Sequence, residues 1–255
     1  MLLLLLVLLG WPVLSAAAEP VLVSDVSDPK VQIRYSFHGA TEMIFGAILY
    51  PQGQQPSGPI DMAVVLRGPS QSIRVREKQK LAGLIWVNAD ETRFRSAPGF
   101  YAIATTRPLN QIISPLQADI YELGVDELQL SPASGMAPAD ANRFERGLIG
   151  MRTQNLLYAS RPGTVQITGG VLFRAQLDIP ARAPVGLYTA DAFLIRHGHV
   201  IAATSHDIDI RKIGFERFVA RAADSHPLIY GIIAVLLSIG VGWGAGELFK
   251  QAGGR

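Results

Sequence analysis

His197, His199 and His206, with Asp207 beside the last, are the residues of this chain whose chemistry could gather a transition metal, since neutral imidazole suits copper and zinc. Their spacing favours a plainer role, because His197-Gly198-His199 reads as a tight turn in which polar residues are expected anyway. Met43, Met62, Met136 and Met151 are dispersed, which suits core filling better than copper carriage. Arg74, Arg76, Lys78 and Lys80 recur at every second position, so a strand there carries four positive charges on one face. Such a face binds an anion or an acidic surface, or guards a sheet edge against stray pairing. For covalent catalysis the signals are poor: there is no Gly-x-Ser-x-Gly elbow, no glycine-rich phosphate loop and no cysteine. The carboxylate doublets Asp90-Glu91 and Asp126-Glu127 read as solvated turns. The residues therefore predict no enzyme, no catalytic site and no resident cofactor or metal.

The elements that would position these residues are mostly strands. Val31, Ile33, Tyr35 and Phe37 alternate with polar residues, the period of a half-buried strand. Further strands are expected at Met43–Leu49, Met62–Leu66, Ile73–Arg76, Leu84–Val87 and Tyr101–Thr105, separated by turn clusters such as Pro51 to Pro59 and Gly68-Pro69. Apolar residues then recur every three or four positions. Ile112, Leu116 and Ile120 predict one helix over Pro108–Leu123, and Phe144, Leu148 and Met151 a second over Asp140–Tyr158 with Asp140 as its cap. Strand character returns at Val165–Thr168, Val171–Ile179, Leu187–Arg196 and His199–Arg211, the last two joined as a hairpin at His197-Gly198. The expected fold is mainly β: an Ig-like β-sandwich over 19–212 with a helical insertion at about 107–160. Two small domains divided near Arg161-Pro162 are the alternative.

Both ends of the chain are apolar. A leucine run from Met1 to Leu9 followed by Ser15-Ala16-Ala17-Ala18 has the form of a signal peptide, 1–18, although the usual basic residues are missing ahead of it. Pro227 to Phe249 has no charge before Glu247 and is long enough for a transmembrane helix, 226–249, with Ser225 as cap, Pro227 in the first turn and Tyr230 and Trp243 near the two headgroup levels. A translocated N-terminus then places the β-domain in the periplasm and the tail 250–255 in the cytoplasm, as a single-pass protein of a bacterial inner membrane. Phe215, Phe218 and Val219 among arginines predict an amphipathic juxtamembrane helix over 213–225. Ser238, Gly242 and Gly246 form one row of small residues along the span and Gly240 and Gly244 another, a pattern that lets helices pack closely. With 23 basic residues scattered among 21 acidic ones and a net charge of +2, nucleic acid is not an expected partner.

The segments IPARAPVGLYTADAFLIRHGHVIAA and KIGFERFVARAADSHPLIYGIIAVLLSIGVGWGAGELF resemble an alphaproteobacterial family of conserved transmembrane proteins. The likeness is strongest over 179–249 and extends more loosely to FHGATEMIFGAI and LRGPSQSIRVREK. No established activity or catalytic residue comes with it. The resemblance implies an accessory or interaction role beside a multispanning permease of sulfite-exporter type. A periplasmic metal- or anion-binding protein is the alternative, and would need His197, His199 and His206, or the Arg74 to Lys80 face, to converge on one pocket.

Overall fold

The structure, a computed structural model, describes residues 19–33, 39–53, 55, 58–81, 83–132, 136–212 and 223–252. The expected signal peptide, the 34–37 part of the first expected strand and positions 213–222 of the juxtamembrane helix lie outside the described residues. The chain forms two units, Met1–Pro29 with His38–Asp209 and Lys30–Phe37 with Ile210–Arg255.

The first unit is mainly β. One antiparallel sheet has the order β1 (Val21–Val26), β3 (Gly39–Leu49), β10 (Leu172–Pro180), β9 (Gln166–Thr168). A second has β12 (His199–Lys212), β11 (Gly186–Arg196), β4 (Asp61–Arg67), β7 (Tyr101–Thr105) and β8 (Tyr158–Pro162) as successive neighbours. In β10 every second residue is buried, Phe173, Ala175, Leu177 and Ile179, because one face meets the core and the other water. β10 lies against β7 and β1 against β11, so the two sheets pack face to face. Strands from both sides of Arg161-Pro162 pair in each sheet, β3 with β10 and β4 with β11, so the chain is not divided there.

β4 and β7 are buried along almost their whole length, on both faces. Their outer face is covered by the insertion, which holds α1 (Leu109–Ile112), α2 (Pro115–Tyr121) and α3 (Pro138–Gln154). Tyr121 packs on Phe193 with ring centroids 5.6 Å apart, and Phe144 and Leu148 of α3 are buried as their spacing predicts. Four expectations fail here. The first helix is broken at Ile113-Ser114, and Pro115 restarts it in a new phase that leaves Leu116 and Ile120 exposed while Ala118 is buried. Met151 is exposed, and α3 begins at Pro138 after Ala137, which leaves Asp140 inside the first turn rather than at the cap. Tyr158 starts β8, which pairs in parallel with β7 through Tyr101↔Tyr158.

The expected short strands at Ile73–Arg76 and Leu84–Val87 are parts of one long ribbon, β5 (Ser70–Leu81) with β6 (Ile85–Pro98), a two-stranded sheet of its own. β1 was not expected at all.

The second unit holds β2 (Gln32–Ile33), which pairs in parallel with the end of β12 through Arg211↔Gln32 and Lys212↔Ile33. It also holds α4 (Pro227–Ala252), a helix of 26 residues and about 39 Å.

Candidate functional surfaces

His197 and Gly198 turn β11 into β12 as expected, with φ of 49° and 81°, the left-handed pair that a two-residue hairpin turn requires. The turn is occupied structurally. Ser114 N donates to Gly198 O at 3.1 Å, and Val200 N donates to Gln117 Oε1 at 3.2 Å, so the hairpin end clamps the start of the helical insertion. His197 and His199 stand together and exposed at this turn. His206 lies seven residues along β12, about 23 Å away and on the other face, so the three do not converge. Among the described residues no group of three or more His, Cys, Asp or Glu is placed to hold a metal ion.

The four cations do share a face. Arg74, Arg76, Lys78 and Lys80 are exposed on β5, while Ile73, Val75 and Glu77 face the other way and are half-buried. Register sets what each cation meets: Arg93 stands opposite Arg74, Glu91 opposite Arg76 and Trp86 opposite Lys80. Arg76 Nε donates to Glu91 Oε2 at 3.0 Å, and the Lys80 ammonium lies 5.2 Å from the centre of the Trp86 ring. Asp90 and Glu91 are thus strand residues with cationic partners rather than a turn: on the inner face Arg143 of α3 bridges Glu77 at 3.3 Å and Asp90 at 3.2 Å.

The insertion is tied to the sheet by a polar network that sequence reading missed. Arg67 NH1 donates to Asp191 Oδ2 at 3.1 Å and its NH2 to Tyr121 O at 2.8 Å, while Ser205 Oγ donates to Asp191 Oδ1 at 2.6 Å. Tyr101 OH donates to Glu122 O at 2.8 Å and accepts from Gly124 N at 2.9 Å. Burial raises the Tyr101 phenol above its ordinary range, so it remains a neutral donor. Beside this network the insertion encloses a cleft of about 360 Å³, walled by Leu109, Ile113, Pro115, Ala118 and Leu123 and rimmed by Asp126 and Glu127. Ser27-Asp28-Pro29-Lys30 has the Ser-x-x-Lys spacing of some acyl-transfer sites. However, Ser27 Oγ donates to Glu42 Oε1 at 2.9 Å, a tie between the end of β1 and β3.

Along α4 the large apolar side chains are exposed in every direction, among them Leu228, Leu236, Leu237, Val241 and Trp243. Ser238 Oγ donates to Ala234 O at 2.9 Å, and a Cβ at Gly240 or Gly242 would meet nothing within 4 Å. Gly244 and Gly246 continue the two rows within the helix. Among the described residues no helix is long and apolar enough to cross a membrane; for α4 the unbroken run of described side chains ends at Trp243.

No curated protein and no solved structure matches the chain. The family model described as "Putative transmembrane protein (Alph_Pro_TM)" matches residues 21–251, well beyond the C-terminal segments that carry the clearest resemblance. On the strength of that match over nearly the whole chain, the protein belongs to this alphaproteobacterial transmembrane family.

Proposed function

We propose that the protein is a single-pass accessory protein of the bacterial inner membrane, with its β-domain in the periplasm and α4 as its anchor. The observation that carries this reading is α4 itself. A helix that is apolar on all sides has no core of its own to enter, and a hydrocarbon layer of about 30 Å is the solvent it suits. Its sequence past Trp243 extends the uncharged run to Gly246. Membership of a transmembrane family supports the same reading.

The β-domain fits an Ig-like sandwich. The sheet order β1-β3-β10-β9 follows A-B-E-D, and β12-β11-β4 follows G-F-C with β7 added beyond β4. Tyr188, two residues into β11, donates from its hydroxyl to Pro184 O at 2.6 Å, the tyrosine-corner bond found at that strand. The parallel β8 and the helical insertion after β7 are departures from the simple pattern.

An interaction role is the reading that the rows of small residues along α4 support. The partner we infer is a multispanning transporter, of the sulfite-exporter type that the family resemblance suggests, packed against the Ser238, Gly240, Gly242, Gly244 and Gly246 rows. The test is gentle detergent extraction of the tagged protein and mass spectrometry of what accompanies it. A permease should co-purify and be lost when Gly240, Gly242 and Gly244 are changed to leucine. Purification alone in both forms would reduce α4 to an anchor and refute the transporter partner.

A further inference from the structure

The β5–β6 ribbon ends in an apolar tip that nothing in the first unit covers. Leu81 is 61% exposed, Leu84 85%, Ile85 63% and Trp86 61%, whereas the base of the same ribbon buries Phe94 completely. The tip is held in shape: Leu84 N donates to Leu81 O at 3.1 Å, and Gly83 takes a φ of +75° with open space around it. It also stands clear of the insertion, because the ion pairs of Arg143 stop at Glu77 and Asp90, about 13 Å short of Leu81 along the strand.

Two features say what covers it. The apolar residues are not confined to one face: Leu81 and Ile85 are opposite each other on one side of the ribbon, and Trp86 lies on the other side, opposite Lys80. A protein groove reads one face, whereas hydrocarbon accepts both. Behind the tip, Lys78 and Lys80 are exposed next to Trp86, while the acidic residues of the ribbon, Glu77, Asp90 and Glu91, lie further down and are paired with Arg143 or Arg76. An indole beside lysines at the edge of an apolar end suits the headgroup level of a bilayer, and the lysines complement anionic lipid. From this we infer that Leu81, Leu84, Ile85 and Trp86 of the tip dip into the interfacial layer of an anionic membrane, with Lys78 and Lys80 on the phosphates, as a second membrane contact of the protein.

The inference rests on the membrane-anchored reading, and the test separates the two. The full chain is reconstituted in vesicles of phosphatidylglycerol and chain-brominated phosphatidylcholine as two single-tryptophan forms. One keeps Trp86, with Trp11 and Trp243 changed to phenylalanine; the other keeps Trp243, with Trp11 and Trp86 changed. Bromine quenches only an indole within the bilayer. Loss of most Trp86 emission, with a blue shift reversed by Lys78→Glu and Lys80→Glu or by leaving out phosphatidylglycerol, supports the tip contact. Quenched Trp243 beside an unquenched, iodide-accessible Trp86 overturns the tip contact and leaves the anchor standing. Quenching of neither overturns both. A Trp86 shielded from iodide in native membranes yet untouched by brominated lipid overturns the lipid contact in favour of a protein groove. Leu84 is exposed, so Leu84→Asp keeps the fold and should also release the tip.

Discussion

Strands β11 and β5 are of nearly equal length, 11 and 12 residues, and live in opposite surroundings. β11 lies between β12 and β4, under the insertion on one side and the facing sheet on the other, and its Ala192 to Ile195 stretch is buried at every position. β5 has one partner, β6, and spends four of its positions on cations that face water. The contrast teaches where this chain stores stability and where it presents chemistry. The sandwich is closely packed, and charges set into it are paired, Arg67 with Asp191 and Arg107 with Asp61. The ribbon is a charged arm whose apolar residues gather at its base and its tip.

The largest effect that would sharpen this contrast comes from one substitution made twice. A Cβ at Gly46 in β3 would meet the Val23 carbonyl oxygen and lie 2.7 Å from Ser24 Cα and 2.8 Å from Phe173 Cε1, so Gly46→Ala must displace β1. We expect it to prevent stable folding, as read by protease resistance and circular dichroism. Gly83→Ala at the ribbon tip meets no atom and carries only the left-handed backbone cost of about 1 kcal/mol. Equal losses at both positions would break the contrast.

Next in size is a pair of side-chain truncations. Leu177 in β10 is fully buried, so Leu177→Ala should cost about 2–5 kcal/mol in denaturant unfolding. Trp86→Ala removes a larger side chain from the exposed tip and should cost within about 0.5 kcal/mol. A smaller loss, about 1–2 kcal/mol, is expected for Tyr188→Phe, which leaves Pro184 O without its donor at the start of β11.

The smallest effect is a pH dependence. Glu42 is buried in β3, and desolvation raises its carboxyl above the ordinary 4.5 although Ser27 Oγ and Asp28 N both donate to it. A carboxyl raised in the folded state contributes stability when protonated and loses it as the pH rises through its folded value. Glu42→Gln should therefore be the more stable form at pH 7, with the gap closing as the pH falls toward 4.5. A gap that widened on acidification would mean that the two donors outweigh burial.

Much of the sandwich was legible because its strands alternate cleanly or run apolar between turn residues, and the His197-Gly198 hairpin announces itself in two residues. β1 was not legible, because its buried positions are Leu22, Ser24 and Val26 while Val21 and Val23 face water, so the apolar pattern does not pick out one side. β8 was hidden by phase: Tyr158 continues the seven-residue spacing from Met151 and so reads as the end of a helix, though its place is set by parallel pairing with β7. The helix at Leu116 and Ile120 failed because Pro115 resets the phase. Of the candidate sites, the cationic face was legible from its period alone. The separation of His206 from His197 and His199 depends on β12 being one unbroken strand, and the cleft and the Arg67 network depend on contacts between distant segments that no local pattern carries.

The proposed arrangement, a β-domain held on one side of a membrane by α4, is directly measurable because the sequence has no cysteine. Single cysteines would be placed at Ser72, exposed in the ribbon, and at Gln251, near the end of α4, and treated in intact spheroplasts with a membrane-impermeant maleimide. A periplasmic β-domain on a single span gives labelling at position 72 before permeabilisation and at position 251 only after it. Labelling of both in intact spheroplasts, or of position 251 alone, would contradict it.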